Sequence, residues 1–375
     1  MIEFRHLQRL AQSDSRPHPT LSLYLNLDLP RDKRLLTLGE LLKRKQQQMA
    51  GNGSGHLWEE LASDREKVLR YVEELSPKVG GGLAVFSCEA KGLFEAYTLP
   101  LKVPNLLEIG PIPYIRPLVA LASDYSKVLA VVTGRREGRF FVCFMGMASE
   151  ESAARVVSEP ASYERDGQQG RAGDSRVSRR ADEELSRHLK RVGQKLRELV
   201  VSCECKQVAL GGPRHVVELM QELLPGSVAE MVVGTFTIDP GAGPTEVARA
   251  VADVQAAARR RRQERVLNEL VESLGPGGRA TTGLNEVLAS LYEGSVGTLL
   301  VRRGLTHPGG ACPTCGRLRH VAGSCPICGG EMTPVADVIN LAVAQALGSG
   351  AKLEQIAEPS VLDEHGGIAA LLRYV

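Results

Sequence analysis

The chain has 375 residues, 43% of them hydrophobic, which is enough for two or three domains with separate cores. Its 46 basic and 44 acidic side chains leave a net charge of +2, so a uniformly basic coat for nucleic acid is excluded. Any RNA contact must come from local clusters of cations. Aromatic residues make up 4% of the chain, which disfavours stacking of single-stranded bases as the main binding device.

No apolar run reaches the roughly 20 residues that span a bilayer, and the first residues lack the apolar core of a signal peptide. We therefore expect a cytoplasmic protein with no membrane partner and no DNA partner. The eight cysteines agree with this compartment, because they show no disulfide framework.

The first segment, residues 1–125, is predicted to be an N-terminal α/β domain. Four leucines from Leu21 to Leu27 alternate with other residues, and this period of two predicts a half-buried strand. The other predicted elements are helices over 35–49, 57–75 and 114–125, and paired strands over 81–88 and 92–99.

The second segment, residues 126–243, is predicted to be a mixed-sheet domain with one long loop. A hairpin over 128–144 opens it, and apolar periodicity is then absent from 149 to 180. Leucines and valines from Leu185 to Leu199 recur at helical spacing and predict a helix. Strands over 207–210 and 231–236, with a helix between them, complete a βαβ-like core.

The third segment, residues 244–375, begins with a predicted linker helix over 244–274 of roughly 45 Å at 1.5 Å per residue. A helix over 284–292, a strand over 298–302, a helix over 335–347 and a strand over 367–374 follow. The predicted fold class is therefore α/β, with three mixed-sheet domains and a four-cysteine minidomain inserted in the C-terminal one.

The inserted minidomain, residues 312–328, contains two matched Cys-x-x-Cys-Gly turns separated by nine residues. The turns place Cys312, Cys315, Cys325 and Cys328 as four ligands of one tetrahedral metal site. Zn²⁺ is the expected metal, because iron–sulfur clusters use other spacings. A closed shell of four thiolates leaves no position for a substrate, so we expect a structural role.

The loop over 149–180 combines glycines with arginines, and two interpretations of it stay open. Arginine binds phosphate and glycine permits close backbone approach, so the loop could contact RNA; alternatively, it is a disordered surface linker. A nucleotide-phosphate loop is disfavoured, because the Gly-x-x-x-x-Gly-Lys-Ser/Thr pattern is absent. The candidate RNA-binding residues are Arg165, Arg171, Arg176, Arg179 and Arg180.

Two further features were weighed in the same way. The run Arg259 to Arg262 is either a solvated helix face with salt bridges or a second RNA contact. Hydrolase motifs such as Gly-x-Ser-x-Gly and His-Glu-x-x-His are absent, and His188 is expected to pack on its helix or lie at the surface rather than act as a base.

The order of these parts resembles the archaeal and eukaryotic class-one peptide release factor superfamily, which includes Pelota and a set of bacterial relatives. The resemblance rests on the closing residues 366–374, the middle strands over 208–213 and 232–236, the helix over 187–196, and the position of the cysteine turns. The N-terminal segment is most similar to the bacterial branch.

The resemblance implies a ribosome A-site factor whose middle-domain loop carries Gly-Gly-Gln into the peptidyl transferase centre and positions water there. Gly167 and Gln168 match the last two residues of that motif, and Asp166 stands at the first glycine. The implied partners are the ribosome, through rRNA and tRNA, and a translational GTPase. The stop-codon motif Asn-Ile-Lys-Ser is absent, which disfavours codon-specific termination.

Three functions follow as hypotheses. The first is ribosome rescue by peptidyl-tRNA hydrolysis with Gly167 and Gln168 as the catalytic residues, and the second is non-catalytic occupation of idle ribosomes in hibernation. The Asp166 substitution leaves open whether the protein is an enzyme. The third is a ribosome-independent RNA-binding protein or nuclease, for which a cluster of metal-binding carboxylates would be expected.

Overall fold

The computed structural model describes residues 4–51, 55–76, 80–158, 171–275, 277–357 and 359–374. These residues form a mixed α/β protein with four sheets, which confirms the predicted fold class. Met1–Ser123 and Gln263–Val375 make one compact unit, called here the terminal unit, and Asp124–Arg262 make the middle unit. The division into three domains at 125 and 243 stays a prediction.

The N-terminal part of the terminal unit is an antiparallel sheet covered by helices. Its elements are α1 (Phe4–Gln12), β1 (Thr20–Asn26), α2 (Arg31–Gly51), α3 (Gly55–Glu60), α4 (Ala62–Glu74), β2 (Gly82–Cys88), β3 (Leu93–Leu99), β4 (Leu106–Gly110) and α5 (Arg116–Asp124). The strand order is β3-β2-β1-β4, and apolar side chains of α2 and α4 form the core with one face of the sheet.

Strand β1 is buried on both faces, whereas its alternating leucines predicted one solvent-exposed face. The leucines pack with α2 and α4, and Ser22 and Tyr24 point to the opposite face. That face is covered by the segment before α5. The Tyr24 hydroxyl donates to the Tyr114 carbonyl at 2.6 Å, and the Tyr114 N–H donates to Ser22 Oγ at 2.9 Å.

The C-terminal part of the terminal unit contains two sheets. Its elements are β11 (Ala280–Thr282), α10 (Leu284–Tyr292), β12 (Val296–Arg302), β13 (Gly309–Ala311), β14 (Leu318–Arg319), β15 (Thr333–Val335), α11 (Val338–Gly348), β16 (Lys352–Ile356), α12 (Val361–Glu364) and β17 (Ile368–Leu372). The larger sheet has the order β11-β17-β12-β16, and the small antiparallel sheet β14-β13-β15 carries the cysteine turns.

Asp337 joins the two parts of the terminal unit. It caps α11 by accepting the Ile339 N–H at 3.1 Å, and it also accepts from the Arg116 guanidinium at 2.7 Å and the Tyr114 hydroxyl at 3.2 Å. Asn340 adds two hydrogen bonds to the backbone just before α5. The Arg116 and Asp337 side chains are only 9% and 12% exposed, so this ion pair is shielded from solvent.

The middle unit is a sheet with helices on both faces. Its elements are β5 (Val128–Thr133), β6 (Glu137–Phe144), β7 (Met147–Glu150), β8 (Val156–Val157), α6 (Arg171–Ser202), β9 (Gln207–Gly212), α7 (Arg214–Leu223), α8 (Gly226–Ala229), β10 (Val232–Thr237) and α9 (Pro244–Glu272). The order is β10-β9-β5-β6-β7, with β8 paired to β6. Strands β10, β9 and β5 are parallel, and α6 and α7 cover one face while α9 covers the other.

Helix α6 begins at Arg171, so residues 171–180 are helical although the sequence predicted a structureless loop through 180. The reason is that a helix elongates at one hydrogen bond per residue once it is nucleated, and it needs no apolar periodicity to do so. The packed turns from Leu185 to Leu199 provide that nucleus. Residues 150–157 also contain β8 and the end of β7, which the absence of periodicity did not reveal.

The crossing of α6 over the β5–β6 hairpin requires a glycine. A Cβ atom added at Gly138 would lie 2.7 Å from Cγ2 of Val192, which is closer than real contacts allow. Gly193, the next residue of α6, has only ordinary contacts at 3.6 Å. Val192 itself is fully buried in the core of the α6 face. The helix therefore lies directly on the hairpin backbone at this point.

We predict that Gly138→Ala and Gly193→Ala have opposite effects on the middle unit. Gly138→Ala should lower the free energy of unfolding by about 1–3 kcal/mol, because the added methyl group displaces Val192. Gly193→Ala should raise it by about 0.5–1 kcal/mol, because alanine loses less backbone entropy in a helix. Hydrogen exchange of the backbone amides in β6 and α6 measures the change in the free energy of unfolding for both variants. Equal stabilities of the two variants would contradict the close contact.

We also predict that Asp337→Asn destabilises the terminal unit by about 3–5 kcal/mol, because Arg116 would remain as a shielded cation without its counter-ion. Asparagine still caps α11, so loss of the cap does not account for the effect. Urea denaturation followed by fluorescence of Trp58, the one tryptophan, reports on this unit. The matched control is Glu66→Gln, which breaks the exposed Arg70 ion pair and should cost under about 0.5 kcal/mol. A similar cost for both variants would refute the role given to Asp337.

Candidate metal centre and nucleic-acid interface

The two cysteine turns have the same backbone hydrogen bonds. The Cys312 N–H donates to the Arg317 carbonyl at 2.8 Å, and the Gly316 N–H donates to the Cys312 carbonyl at 3.0 Å. The second turn repeats both bonds at 2.8 and 2.9 Å, with Cys325 in the place of Cys312. The glycine after each pair has a positive φ, 77° and 73°, which other residues rarely adopt. The shared glycines of the two motifs are therefore explained by geometry.

The turns bring the four thiols together as the spacing predicted. All four Sγ atoms lie within 4.8 Å of one another, and the pairs Cys312–Cys328 and Cys315–Cys325 are 3.4 and 3.5 Å apart. Four sulfurs at about 2.3 Å from a tetrahedral metal would be about 3.8 Å apart. The cluster therefore has the size of a metal site with four cysteine ligands. Within the part of the chain that the structure describes, no other group of three or more metal-binding side chains is present.

The charges of the thiols also fit a cation. The Cys315 backbone N–H lowers the pKa of Cys312 to about 6, and the Cys328 backbone N–H lowers the pKa of Cys325. The Gly330 N–H acts in the same direction on Cys328, but the neighbouring sulfurs outweigh it and raise the pKa of Cys328 to about 11. Without a cation the cluster thus cannot hold four thiolates at pH 7. A bound divalent metal would remove this repulsion.

The cysteine centre also contacts the N-terminal part of the terminal unit. Arg16 donates to the Cys312 carbonyl at 3.2 Å, and Asp14 holds the same guanidinium with its Oδ2 at 2.6 Å from Nη2. This arginine lies in the chain between α1 and β1. A ligand residue of the metal centre is therefore hydrogen-bonded directly to the N-terminal segment.

We predict that Cys312→Ser lowers the metal content of the purified protein well below one equivalent, because a neutral hydroxyl is a poor replacement for a thiolate ligand. Elemental analysis by mass spectrometry gives the ratio of metal to protein. Cys203→Ser is the matched control, since Cys203 lies in the middle unit and outside the cluster. Undiminished metal in Cys312→Ser would rule out the four-cysteine site.

The predicted catalytic and RNA-binding residues of the middle unit lie at or before the start of α6. Arg165, Gly167 and Gln168 are outside the described residues, so their roles stay predictions. Of the remaining arginines, Arg171 and Arg176 belong to the first turns of α6, and Arg179 and Arg180 are exposed on it.

A polar contact absent from the sequence prediction ties β8 to α6. Ser158, at the end of β8, has its Oγ 2.7 Å from Nδ1 of His188 and also accepts from the Arg191 guanidinium, while its N–H donates to the Arg136 carbonyl at 2.8 Å. No local pattern signals this contact, because its partners come from three separate elements. It holds the end of β8 against the middle of α6, 17 residues after the helix begins.

His188 is fully buried, so of the two positions that the sequence left open the packed one is observed and the surface one is not. Burial lowers the pKa of His188 from its ordinary value of 6.5, so the ring is neutral at pH 7. Because the pKa of His188 is lowered in the folded state, protonation of this ring favours unfolding. The contribution of His188 to the free energy of unfolding is therefore fully present above pH 6.5 and declines as the pH falls below that value.

Arginines of the run on α9 form hydrogen bonds and an ion pair within the middle unit. Arg259 forms an ion pair with Asp124 at 3.3 Å and donates to the carbonyl of the same residue. Arg261 donates to the Val233 carbonyl at 2.9 Å. These bonds favour the structural interpretation of the run over an RNA contact, although Arg260 is exposed.

The helices in the described ranges include none with the length and apolar character of a membrane span. Residues 113–259 match the family model described as "Bacterial archaeo-eukaryotic release factor family 10". This range covers nearly all of the middle unit, including β8, the start of α6 and the segment between them. The predicted resemblance to the release factor and Pelota superfamily is thereby confirmed, whereas no curated protein is significantly similar in sequence.

Three solved structures illustrate the structural matches. The archaeal translation termination factor aRF1 is 16% identical, with 100% of this chain and 99% of that chain covered and a TM-score of 0.28. Dom34 of S. cerevisiae, a translation termination-like factor involved in RNA quality control pathways and interacting with Hbs1, is 12% identical over 80% and 81% of the two chains, with a TM-score of 0.45. A model of ribosome-bound archaeal Pelota and ABCE1 matches at 12% identity over 99% and 93%, with a TM-score of 0.40.

Proposed function

We propose that this chain, whose residues 113–259 belong to the bacterial branch of the archaeo-eukaryotic release factors, binds the ribosomal A site and rescues ribosomes by promoting peptidyl-tRNA hydrolysis. The family match carries the proposal, because it covers the sheet, the start of α6 and the segment from which Gly167 and Gln168 come. The partners are rRNA and peptidyl-tRNA, and the compartment is the cytoplasm.

The proposed chemistry is the placement of a water molecule. The ester of peptidyl-tRNA is hydrolysed when water is held in line with its carbonyl carbon and the developing negative charge is stabilised. Gly167 permits close backbone approach, and Gln168 positions the water. Neither residue needs to act as a strong acid or base, which is consistent with the absence of a hydrolase motif from the sequence.

The arginines near the start of α6 would bind rRNA and so direct the segment that contains Gly167 and Gln168 to the peptidyl transferase centre. Arg165, Arg171, Arg176, Arg179 and Arg180 lie within a short stretch of chain on either side of the helix start, and rRNA presents a dense array of phosphates. Arginine suits this role because its planar guanidinium binds two phosphate oxygens at once. These cations would neutralise phosphates as the segment enters the large subunit.

The cysteine centre is proposed to hold Zn²⁺ in a structural role. Cys312, Cys315, Cys325 and Cys328 complete a tetrahedral shell of soft ligands, and four protein ligands leave no position for a substrate. The metal would stabilise the small sheet and its contact with Arg16. A translational GTPase that delivers the factor is a further proposed partner.

The experiment combines binding with peptide release. The protein is cosedimented with ribosomes and then incubated with ribosomes that carry a labelled peptidyl-tRNA in the P site. We expect binding and release, and we expect Gln168→Ala to abolish release without weakening binding. Gln169→Ala is the matched control and should retain release, because it changes the adjacent residue of the same type. Failure of the wild-type protein to cosediment would refute the proposed function.

Non-catalytic occupation of idle ribosomes is the second candidate, and Asp166 favours it. Aspartate in place of the first glycine restricts the backbone and adds a negative charge close to phosphates. The same experiment separates the two functions, since hibernation predicts binding with no release. RNA binding or cleavage away from the ribosome, the third candidate, predicts activity on free RNA without cosedimentation.

A further inference from the structure

Two groups of cationic residues lie on the elements that Ser158 joins. Arg135 and Arg136 are both exposed at the turn between β5 and β6. Arg187, Lys190 and Arg191 are exposed on α6, within one helical turn of His188. None of these five residues belongs to the arginines that the sequence prediction assigned to RNA.

Contacts in the middle unit place these two groups side by side. The Ser158 N–H donates to the Arg136 carbonyl, and the Ser158 hydroxyl accepts from Arg191, so a single residue bridges the turn and the helix. One turn further along α6, Val192 packs on Gly138 in the same hairpin. The cations therefore form a rim around the point where the chain leaves β8.

Most cations of this rim form no ion pair within the described part of the middle unit, although Asp182 and Glu183 line one depression with Arg187 and Lys190. The nearby Glu137 carboxylate is paired with Arg155, and Glu150 is paired with Arg139. Across residues 124–158 and 171–262, Arg135, Arg136 and Lys190 have no carboxylate at ion-pair distance. Unpaired and exposed cations held by a fixed backbone are the arrangement that binds phosphates.

The acidic residues of α6 separate this rim from the arginines at the start of the helix. Asp182 and Glu183 are exposed between Arg180 and Arg187, so the helix carries two cationic regions. Their centres are about 20 Å apart at 1.5 Å per residue. Two phosphate contacts along one RNA strand, or on neighbouring strands, can be bridged at this separation.

We propose that Arg135, Arg136, Arg187, Lys190 and Arg191 form a phosphate-binding collar that binds the RNA backbone beside Ser158, at the end of β8. The ligand is the sugar-phosphate backbone of folded RNA, which the collar binds without stacking on bases. The collar deepens the proposed function and rests on it, because it supplies the contact that orients the middle unit on rRNA. Its position is set by Ser158 and is independent of the arginines from 165 to 180.

The test measures how ribosome affinity depends on salt. The variant is Arg135→Gln with Arg136→Gln and Lys190→Gln; Arg191 is left unchanged because it bonds to Ser158. Each lost phosphate contact should reduce the slope of log K against log salt by about 0.7–0.9, and it should weaken binding roughly 5- to 8-fold at 0.1 M salt. The matched control, Arg214→Gln with Arg249→Gln, removes exposed arginines elsewhere in the unit and should leave the slope unchanged. Thermal unfolding of every variant checks that the fold is intact.

The outcomes distinguish the collar from the proposed function. Wild-type binding with an unchanged slope in the collar variant overturns the collar and leaves the proposed function standing. If the wild-type protein does not bind ribosomes, the proposed function is overturned, and the same variants are then measured on a folded, labelled rRNA fragment. A slope reduced relative to the control supports the collar on that RNA, and equal slopes overturn it.

Discussion

Gly138 has no side chain, and Val192 of α6 packs against its α-carbon at a distance that leaves no room for a methyl group. This contact sets the height of α6 above the hairpin and brings His188 and Arg191 to Ser158. The end of β8 is thereby held against the middle of α6 by packing and by hydrogen bonds. The proposed RNA contact beside Ser158 depends on this geometry, and the candidate catalytic residues follow Ser158 in the chain.

The terminal unit relies on a different kind of interaction. The shielded ion pair between Arg116 and Asp337, reinforced by Tyr114, joins the N- and C-terminal parts, and the Arg16 bond to Cys312 joins the same parts at the cysteine centre. Such a shielded pair contributes geometric specificity more than net stability, since both charges lose hydration. Metal binding would act in the same direction by fixing the carbonyl of Cys312. We therefore propose that the cysteines serve the architecture of the terminal unit rather than reaction chemistry.

The sequence revealed the features that repeat at short range. The leucine spacing from Leu185 to Leu199 predicted the packed part of α6, and the paired Cys-x-x-Cys turns predicted the thiol cluster. It did not reveal β16, because Glu354 and Gln355 are buried polar residues inside that strand and mask its pattern. It also did not predict that residues 171–180 are helical, because that helix extends from the packed turns that follow. Nor did it predict the contact between Ser158 and His188, which are 30 residues apart. Long-range contacts of this kind leave no local pattern.

The central claim is that the middle unit meets the large ribosomal subunit near the peptidyl transferase centre. Chemical probing of rRNA in ribosomes, with and without the bound protein, tests it most directly. The account predicts protection of nucleotides in the peptidyl transferase centre and along the A site, with the protection near that centre lost when residues 159–170 are replaced by a glycine-serine linker of equal length. Binding that protects neither region, or protection unaffected by that replacement, would contradict the account.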